Sequence, residues 1–228
     1  MQKPLVSVVI PVYNGERYLA STLDSVWAQD YRPIEVIVVD DGSIDNSAAI
    51  AQSYQDVRYI YQPNQGVAVA RNRGIAAAQG EFIAFLDQDD MWTPNKLRVQ
   101  MDHLLKNPDL GYVIAKQRIF LEPGTEVPSW FREKFLHGDQ MGFLPSTLVA
   151  RAYVFRQIGS FNPAYKNASD VQWFFQAKDA GIPMAVLPEV LLHRRIHSDN
   201  QSYRVKALHS EYIKIVRLSM ERQKTSKK

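Results

Sequence analysis

The stretch EFIAFLDQDD, residues 81–90, joins an apolar run directly to a group of carboxylates. Its five apolar residues, 82–86, have the length and composition of a strand that is buried on both faces of a sheet. Three acids, Asp87, Asp89 and Asp90, follow within four positions and repel one another. Such a turn is either fully solvated or holds a cation, and the adjoining apolar run argues against full solvation. We therefore expect a metal ion at this turn.

The residues before this stretch alternate short apolar runs with helix-compatible segments. Strands are predicted at residues 5–10, 34–40 and 57–62, and helices near residues 16–29, 45–54 and 66–80. After the acids, Thr93 and Pro94 match an N-cap and the first position of a helix that runs to about residue 106. Strands that alternate with helices form parallel β-α-β units. The sequence therefore predicts an α/β fold with a Rossmann-like, mostly parallel sheet flanked by helices.

The second half of the chain has a less regular pattern. Strands are predicted at residues 111–120 and 184–195, and helices within residues 146–159 and 169–181 and at about residues 203–222. Residues 121–146 carry prolines and glycines among aromatic residues, which predicts a long irregular connection. Connections of that length are commonly lids or binding segments.

The composition limits the classes of function. The chain has 228 residues and is 46% apolar, which is enough for the core of one domain. A formal charge of +3 without a basic and aromatic stripe gives little support to a nucleic-acid partner. Because cysteine is absent, a metal needs oxygen or imidazole ligands, which favours Mg²⁺ or Mn²⁺. No run approaches 18 apolar residues and no secretory signal precedes Pro11, so we expect a cytoplasmic protein.

Polar clusters follow three of the predicted strands. They are PVYNG (11–15), DDGS (40–43) and DQDD (87–90). In an open α/β sheet the ligand crevice lies beyond the carboxyl ends of the strands, where these clusters meet. The DDGS residues fit a turn or a helix cap equally well. A few carboxylates bind Mg²⁺ or Mn²⁺ together with water and ligand phosphates, and no glycine-rich phosphate loop is present. The sequence therefore predicts a diphosphate held through a metal.

The motifs VSVVIPVYNGERYL, VVDDGSIDNS, GVAVARNRGI and GEFIAFLDQDDMWTP, in this order and spacing, resemble those of the family 2 glycosyltransferases. The similarity continues through LPSTLVARAYVFRQIGSFNP, SDVQWFFQAKDAG and RIHSDNQS, and it is weakest over residues 116–142. The resemblance implies the GT-A fold, a nucleotide-diphosphate sugar as donor, a divalent metal and inversion at the anomeric carbon. The implied acceptor is a hydroxyl of a glycan or of a lipid-linked glycan, in polysaccharide, glycolipid or cell-surface glycan synthesis.

The resemblance also implies one domain of residues 1–228. In it, residues 1–110 bind the nucleotide sugar, residues 111–202 face the acceptor, and residues 203–228 form a C-terminal helix and basic tail. The last helix either packs on the domain or meets an anionic membrane surface with its basic face, so that the protein would lie at the inner face of the membrane.

Donor contacts are carried over position by position. The matching residues are Pro11, Tyr13, Asn14, Glu16, Asp41, Arg71, Asp87 and Arg195. Asp41 would accept a hydrogen bond from the base, which fits the ring imide N–H of uracil or thymine, so that UDP is the first choice of nucleotide and dTDP the second. Arg71 would lie near the diphosphate and Asp87 near the ribose.

The metal is assigned by the same resemblance to Asp89. Asp90 reaches either the metal or the sugar. The segment HRRIHSDNQS, residues 193–202, resembles one that closes over the donor, in which Arg195 contacts the diphosphate and His197 completes the metal shell. An ordinary charged surface loop is the alternative for that segment.

Asp170 matches the position of the catalytic base in the family. An inverting displacement needs one carboxylate to take the proton of the acceptor hydroxyl on the face opposite the leaving group. Ser169 stands where the family often has a second acid. The alternative is a helix N-cap, because Ser169 or Asp170 begins a plausible helix.

Two other functions use part of this pattern. A nucleotidyltransferase also places carboxylates and Mg²⁺ at strand ends, but normally has a glycine-rich, basic loop after its first strand. A non-catalytic nucleotide-sugar-binding protein would keep the donor site and not need Asp170. Among aromatic residues, Trp130, Phe131 and Trp173 either stack on acceptor sugars or belong to the core.

Overall fold

The computed structural model describes residues 3–127, 131–197, 200 and 205–225. The strands are β1 (Val6–Val12), β2 (Ile34–Asp40), β3 (Val57–Tyr61), β4 (Phe82–Phe85), β5 (Met91–Trp92), β6 (Tyr112–Leu121), β7 (Asp139–Met141), β8 (Val149–Arg151) and β9 (Met184–Ile196). The α-helices are α1 (Leu19–Trp27), α2 (Ser47–Ser53), α3 (Val67–Ala77), α4 (Lys96–Lys106), α5 (Ala152–Ile158), α6 (Ser169–Asp179) and α7 (Val205–Thr225).

One mixed sheet contains all of these strands, in the order β3-β2-β1-β4-β8-β6-β9-β5, and β7 pairs with β6. The longer strands pair in parallel: β1 with β2 and β4, β2 with β3, and β6 with β9. The antiparallel pairings each involve one of the short strands β5, β7 and β8. The predicted α/β class with a mostly parallel sheet flanked by helices is confirmed.

The core forms two layers because side chains alternate along the central strands. Val8 of β1 belongs to the layer that also contains residues of α1 and α4, whereas Val9 belongs to the layer of α3, α5 and α6. The apolar run of residues 82–86 is at most 2% exposed, as predicted for a strand covered on both faces. The acids that follow it therefore leave the core at the carboxyl edge of the parallel strands.

Helix α4 begins two residues later than the sequence predicted. Thr93 still belongs to the sheet edge, since its backbone N–H donates to the Leu191 carbonyl at 3.2 Å. Asn95 occupies the N-cap position, and the Thr93 hydroxyl donates to the Asn95 side-chain oxygen at 2.9 Å. The pairing of β5 with β9 keeps the chain extended past the residue that local sequence assigns to the cap.

The helix predicted within residues 146–159 is only partly present. Residues Val149–Arg151 form β8, which lies between β4 and β6 and pairs with both. Without this strand, the facing edges of β4 and β6 would have buried backbone groups lacking partners. The helix therefore covers only Ala152–Ile158.

Helix α7 packs against α6. Ile215 and Ser219 are buried, and the Ser219 hydroxyl donates to Asp179 Oδ1 at 2.6 Å. Glu211 accepts from the backbone N–H of Asn167 at 3.0 Å. Tyr212 on the same helix is 45% exposed, so it only partly faces the domain. No helix in the described part of the chain is long and apolar enough to cross a membrane.

Lys96, the first residue of α4, is a charged residue that is completely buried. Its Nζ donates to Gln100 Oε1 at 2.6 Å and lies 4.1 Å from the centroid of the Trp92 ring. The Gln100 amide in turn donates to the Thr147 carbonyl at 2.7 Å. Because burial penalises the ammonium form, it lowers the pKa of Lys96 well below the ordinary value.

This burial predicts a pH-dependent difference in stability between wild type and a Lys96→Met variant. Between the lowered pKa and the ordinary value, the folded protein has lost a proton that the unfolded chain keeps, so wild-type stability rises with pH by up to about 1.4 kcal/mol per unit. Any advantage of the methionine variant at pH 7 should therefore shrink by pH 10. Denaturant unfolding at both pH values measures the difference in the free energy of unfolding between the variant and the wild type. The control is Lys106→Met, at the exposed end of α4. Equal pH dependence in the two variants would contradict this account.

Candidate active site

The acidic turn, residues 87–90, is held against the end of β1. The backbone N–H of Leu86 donates to the Val9 carbonyl at 3.1 Å. Beyond that bond, Gln88 pairs with the backbone of Tyr13: its Oε1 accepts from the Tyr13 N–H at 2.7 Å and its Nε2 donates to the Tyr13 carbonyl at 3.0 Å. The structure thus brings together two of the three polar clusters that follow predicted strands.

The loop after β1 is tied in the same way to the loop after β2. Asn14 accepts from the Ile44 N–H at 3.0 Å, and its own N–H donates to the Ser43 hydroxyl at 3.0 Å. Asn14 has a φ of 49°, a left-handed conformation that asparagine tolerates better than most residues. Glu16 accepts from the Asn46 N–H at 2.9 Å. The side chains of Asn14 and Glu16 therefore shape the loops that border the crevice.

The remaining two residues predicted for the nucleotide wall differ in exposure. Pro11 is buried within β1, opposite Val39 of β2. Tyr13 is 46% exposed, so its ring is available to a ligand at this edge of the sheet.

The two aspartates of DDGS are both bonded within the protein. Asp40 accepts from the Ser43 N–H at 2.8 Å and from the Tyr59 hydroxyl at 2.7 Å, as in the turn alternative. Asp41 is 3% exposed and accepts from three donors: the Gln62 amide at 2.7 Å and the backbone N–H groups of Gln65 and Gly66, each at 2.8 Å. These bonds place Asp41 under the loop that enters α3.

Arg71 joins the acidic turn to α3. Its Nη2 lies 2.6 Å from Asp87 Oδ1, and its guanidinium lies over the Phe161 ring at 5.5 Å from the centroid. The Arg71 side chain is 7% exposed and that of Asp87 is 30% exposed. The backbone N–H of Asp87 donates to the Ser146 hydroxyl at 3.1 Å. The Asp87 carboxylate is therefore held from behind and partly open to a ligand.

Asp170 lies in the first turn of α6, and Ala168 occupies the N-cap position without a side-chain cap bond. The alternative role of Asp170 as an N-cap is therefore not what the structure shows. Burial is the largest influence on the pKa of Asp170 and raises it, whereas the nearby Arg71 guanidinium and the Val171 N–H lower it. Asp87 adds a smaller effect that raises the pKa. Asp170 thus belongs to the same electrostatic group as Arg71 and Asp87.

Asp89 meets the C-terminal segment. Its Oδ2 lies 2.9 Å from His197 Nε2 and accepts from Asn200 Nδ2 at 3.0 Å. Asn200 also accepts from the His197 backbone N–H at 2.6 Å, which fixes the histidine relative to Asp89. The 2.9 Å separation is that of a hydrogen bond. It also matches the roughly 3.0 Å between two atoms that bind a cation at about 2.1 Å and at a right angle, so the pair would share Mg²⁺ or Mn²⁺ once the ion replaces the hydrogen.

Asp90 points elsewhere. It is 3% exposed, and its Oδ1 accepts from the Arg195 N–H at 3.0 Å. Burial and the neighbouring Asp89 raise the pKa of Asp90 well above its ordinary value, and the Arg194 charge opposes them. The three predicted metal ligands therefore do not form one group, and no three histidine or acidic side chains in the described residues are placed to hold a metal.

Arg195 clamps the acidic turn. Its guanidinium lies between the rings of Tyr18 and Phe120, at 4.7 and 5.2 Å from their centroids, and its Nε donates to the Asp89 carbonyl at 3.1 Å. Arg195, His197 and Asn200 are thus packed onto the turn, so this part of the segment 193–202 is not a free surface loop.

Several residues that shape the site escaped the sequence analysis. The Thr22 hydroxyl, on α1, lies 2.7 Å from the Gln88 carbonyl and 2.9 Å from the Asp90 carbonyl. Nothing local to Thr22 indicates this contact, since its partners lie 66 and 68 residues away. Asn200 carried a signal, because asparagine side chains often bond the backbone N–H three residues earlier.

The aromatic residues proposed for the acceptor have different positions. Trp173 is fully buried, stacks on Phe155 at 5.0 Å and donates to the Gly159 carbonyl at 3.1 Å, so the acceptor assignment is wrong and the core alternative is right. Phe131 lines a surface pocket. Trp130 lies outside the described residues.

The sequence matches the model of Glycosyl transferase family 2 over residues 7–162. An uncharacterized glycosyltransferase of Rickettsia typhi is 35% identical over 237 residues, which cover 92% of this chain and 72% of that protein. The putative teichuronic acid biosynthesis glycosyltransferase TuaG of Bacillus subtilis is 35% identical over 143 residues, covering 60% of this chain and 54% of TuaG.

Solved structures show the same fold at lower identity. TarS 1-349 of S. aureus, in complex with UDP-GlcNAc, superposes with a TM-score of 0.71 at 23% identity, covering 87% of this chain and 60% of that one. The mannosyltransferase PcManGT of Pyrobaculum calidifontis, in complex with GDP-Man and Mn²⁺, superposes with a TM-score of 0.74 at 20% identity, covering 95% of this chain and 65% of that one. The chain thus spans less than two thirds of both structures, and the predicted GT-A fold is confirmed. The match to the family model over most of the chain, together with the Rickettsia relative, shows that this protein belongs to glycosyl transferase family 2.

Proposed function

We propose that this protein is an inverting glycosyltransferase that moves a sugar from a nucleotide-diphosphate donor to an acceptor hydroxyl in cell-surface polysaccharide synthesis. The observation that carries the proposal is the division of the acidic turn between two groups: Asp87 with Arg71 and Asp170, and Asp89 with His197. One group contains a carboxylate suited to take a proton, and the other contains ligands suited to a divalent cation. The name of TuaG, a putative teichuronic acid biosynthesis glycosyltransferase, supports a cell-surface polysaccharide as product.

Asp170 acts as the base in this proposal. Burial raises its pKa towards the range in which a general base is effective, and the Arg71 charge opposes that shift. It takes the proton of the acceptor hydroxyl, whose oxygen then attacks the anomeric carbon from the face opposite the diphosphate. The bond from the anomeric carbon to the diphosphate oxygen breaks, and the nucleoside diphosphate leaves with that electron pair.

The donor lies along the carboxyl ends of β1, β2 and β4. Asp87 is held by Arg71 and keeps part of its carboxylate exposed, which suits hydrogen bonds to the ribose hydroxyls. The exposed Tyr13 ring provides a face for the base, and the buried Asp41 would accept a hydrogen bond from it. UDP is our first choice and dTDP the second, and the neighbours add GDP to the nucleotides to be tested.

Asp89 and His197 would hold the divalent cation. When bound, such a cation neutralises the developing charge on the departing diphosphate. Asn200 and Arg195 orient this pair, since they bond the carboxylate and the backbone of Asp89. Asp90 orients the same segment through the Arg195 N–H and does not coordinate.

Thermal unfolding with different nucleotides tests this proposal without knowledge of the acceptor. UDP, dTDP, GDP and CMP are each added with Mn²⁺, with Mg²⁺ or with EDTA. A ligand at roughly 100 times its Kd stabilises the native state by about 2.7 kcal/mol, which raises the Tm of a protein of this size by roughly 5–10 °C. We expect such a shift for a nucleoside diphosphate with metal and its loss in EDTA. Absence of a shift with all four nucleotides would contradict the proposal.

Family membership favours this function over a nucleotidyltransferase, for which no glycine-rich basic loop follows β1. A non-catalytic donor-binding protein would give the same thermal shift, and the two are separated by the Asp170 variant discussed below. A glycan or lipid-linked acceptor and peripheral contact with the inner face of a membrane through α7 stay predictions.

A further inference from the structure

A pocket with a volume of about 390 Å³ opens mainly in the part of the chain where the family resemblance is weakest. It lies between β6, β9 and the 3-10 turn at Glu133–Leu136, and its volume is in the range of small-molecule sites. The residues that matter for its chemistry are Gln117, Phe131, Arg132, Phe135 and Arg194.

The pocket carries positive charge. Arg132 and Arg194 both line it, and no acidic side chain does so among the described residues. Arg118 pairs with Asp139 at 2.9 Å and does not line the pocket. Arg194, which lines the pocket, directly precedes Arg195, whose backbone N–H bonds Asp90 of the acidic turn. Guanidinium groups bind carboxylates and phosphates with two parallel hydrogen bonds, so this lining favours an oxyanion.

Gln117 contributes a buried acceptor without a partner. The side chain is 6% exposed, and its Oε1 has no hydrogen-bond donor among the described residues. Leaving such a group unpaired costs about 1–3 kcal/mol, so a ligand that donates to it is favoured. The pairing of β6 with β9 is irregular between Lys116 and Gln117, and bulges of this kind redirect side chains at functional sites. A sugar hydroxyl is a suitable donor.

The aromatic lining suits a sugar ring. Phe131 and Phe135 meet edge to face, with centroids 6.1 Å apart, and present apolar surface beside the two arginines. On the far side, Met141 lines the pocket two residues before Phe143, whose ring contacts Phe174 at 5.7 Å. Phe174 lies one helical turn beyond Asp170 on α6, so the chain segment that lines the pocket continues into a residue that packs on the helix with the proposed base.

We propose that this pocket binds an acceptor sugar that carries an oxyanion, either a carboxylate or a phosphodiester. Arg132 and Arg194 bind the oxyanion, Gln117 accepts from a sugar hydroxyl, and the phenylalanine rings cover the apolar face of the ring. That the bound sugar is an acceptor rests on the proposed function, whereas the selectivity for an anionic sugar rests on the residues of the pocket.

The test is to titrate the protein into each of three probes and to monitor binding by ligand-observed NMR. They are methyl β-D-glucuronide, methyl β-D-glucoside and the methyl phosphodiester of that glucoside. We expect at least one charged probe to bind about tenfold more tightly than the neutral glucoside, with the advantage reduced by salt. The better of the two charged probes identifies carboxylate or phosphodiester. Equal binding of all three probes would overturn the inference.

Variants locate the binding. Arg132→Gln, at an exposed side chain, should weaken binding of the charged probe about tenfold and leave binding of the glucoside unchanged. Arg156→Gln, at an exposed arginine of α5 that does not line the pocket, is the matched control and should have no effect. Gln117→Glu adds a negative charge to the pocket and should therefore weaken binding of the charged probe. If this buried substitution unfolds the protein, the Arg132 variant still tests the inference. Equal effects of Arg132→Gln and Arg156→Gln would place the probe elsewhere and overturn the inference.

The nucleotide titration keeps the two proposals separate. A preparation that shows the metal-dependent nucleotide shift but no preference for charged sugars overturns only the anionic acceptor. A preparation that prefers charged sugars in an Arg132-dependent manner, but binds no nucleotide, supports the pocket and contradicts the proposed transferase.

Discussion

Replacing Asp170 by asparagine is expected to lower kcat for sugar transfer by about 10²–10⁴-fold while donor binding stays unchanged. Asparagine keeps the size of the side chain and an oxygen that can accept from the Val171 N–H, which is 2.8 Å from Asp170 Oδ1. It cannot take a proton from the acceptor hydroxyl. One measurement is the rate at which nucleoside diphosphate is released from a sugar nucleotide whose nucleotide raises the Tm of the protein. The other is the Kd of the variant and the wild type for that nucleotide.

The pH profile of the wild type gives a second readout of the same residue. The carboxylate must be deprotonated to act as a base, so activity should fall as pH decreases through its pKa. Because burial raises that pKa, the acidic limb should lie above about 3.9, the ordinary value for aspartate.

The control for this variant is Asp109→Asn, an exposed aspartate in the loop after α4, which should retain full activity. Unchanged turnover in Asp170→Asn would contradict the role as base. It would instead favour a non-catalytic protein that binds nucleotide sugars, because such a protein keeps the donor site and has no use for a base.

Replacing Asp89 by alanine is expected to remove metal-dependent nucleotide binding and to lower kcat/KM by about 100-fold or more, or about 3 kcal/mol. The variant takes away one of the two ligands proposed for the cation and leaves His197 without the carboxylate 2.9 Å from it. The thermal shift with Mn²⁺ and nucleotide should then match that of the wild type in EDTA.

A matched substitution of Asp90 separates coordination from positioning. Asp90→Asn retains an oxygen that can accept from the Arg195 N–H, so we expect a loss of less than about tenfold. If Asp90→Asn abolished the metal-dependent shift as completely as Asp89→Ala, Asp90 would be a ligand and the assignment by geometry would fail. If Asp89→Ala kept the shift, the cation would have to bind elsewhere.

The elements that local pattern predicted best are those with continuous burial. Strands β1, β2 and β4 have nearly uninterrupted apolar sequences because helices cover both faces of the sheet. The pattern failed where pairing with distant strands overrides local preference. The short strand β8 is an example, since it is needed between β4 and β6 and replaces the first turn of a predicted helix.

The burial of the Trp173 ring could not be predicted from the sequence. A tryptophan three residues after the predicted base fits an acceptor wall as well as a core position. Only the packing of α6 against α5 shows that its ring is fully buried against Phe155.

The order of residues along the chain is enough to predict that carboxylates follow the ends of buried parallel strands, and therefore that a crevice for a charged ligand lies at that edge. It could not determine how the acids of residues 87–90 divide their roles. Asp87 pairs with Arg71, Asp89 with His197, and Asp90 with the backbone of Arg195. Those partners lie 16, 108 and 105 residues away, and they are brought to the turn by the order of the strands in the sheet. Adjacent residues with the same chemistry thus acquire different environments, because a turn directs successive side chains towards different elements of the fold.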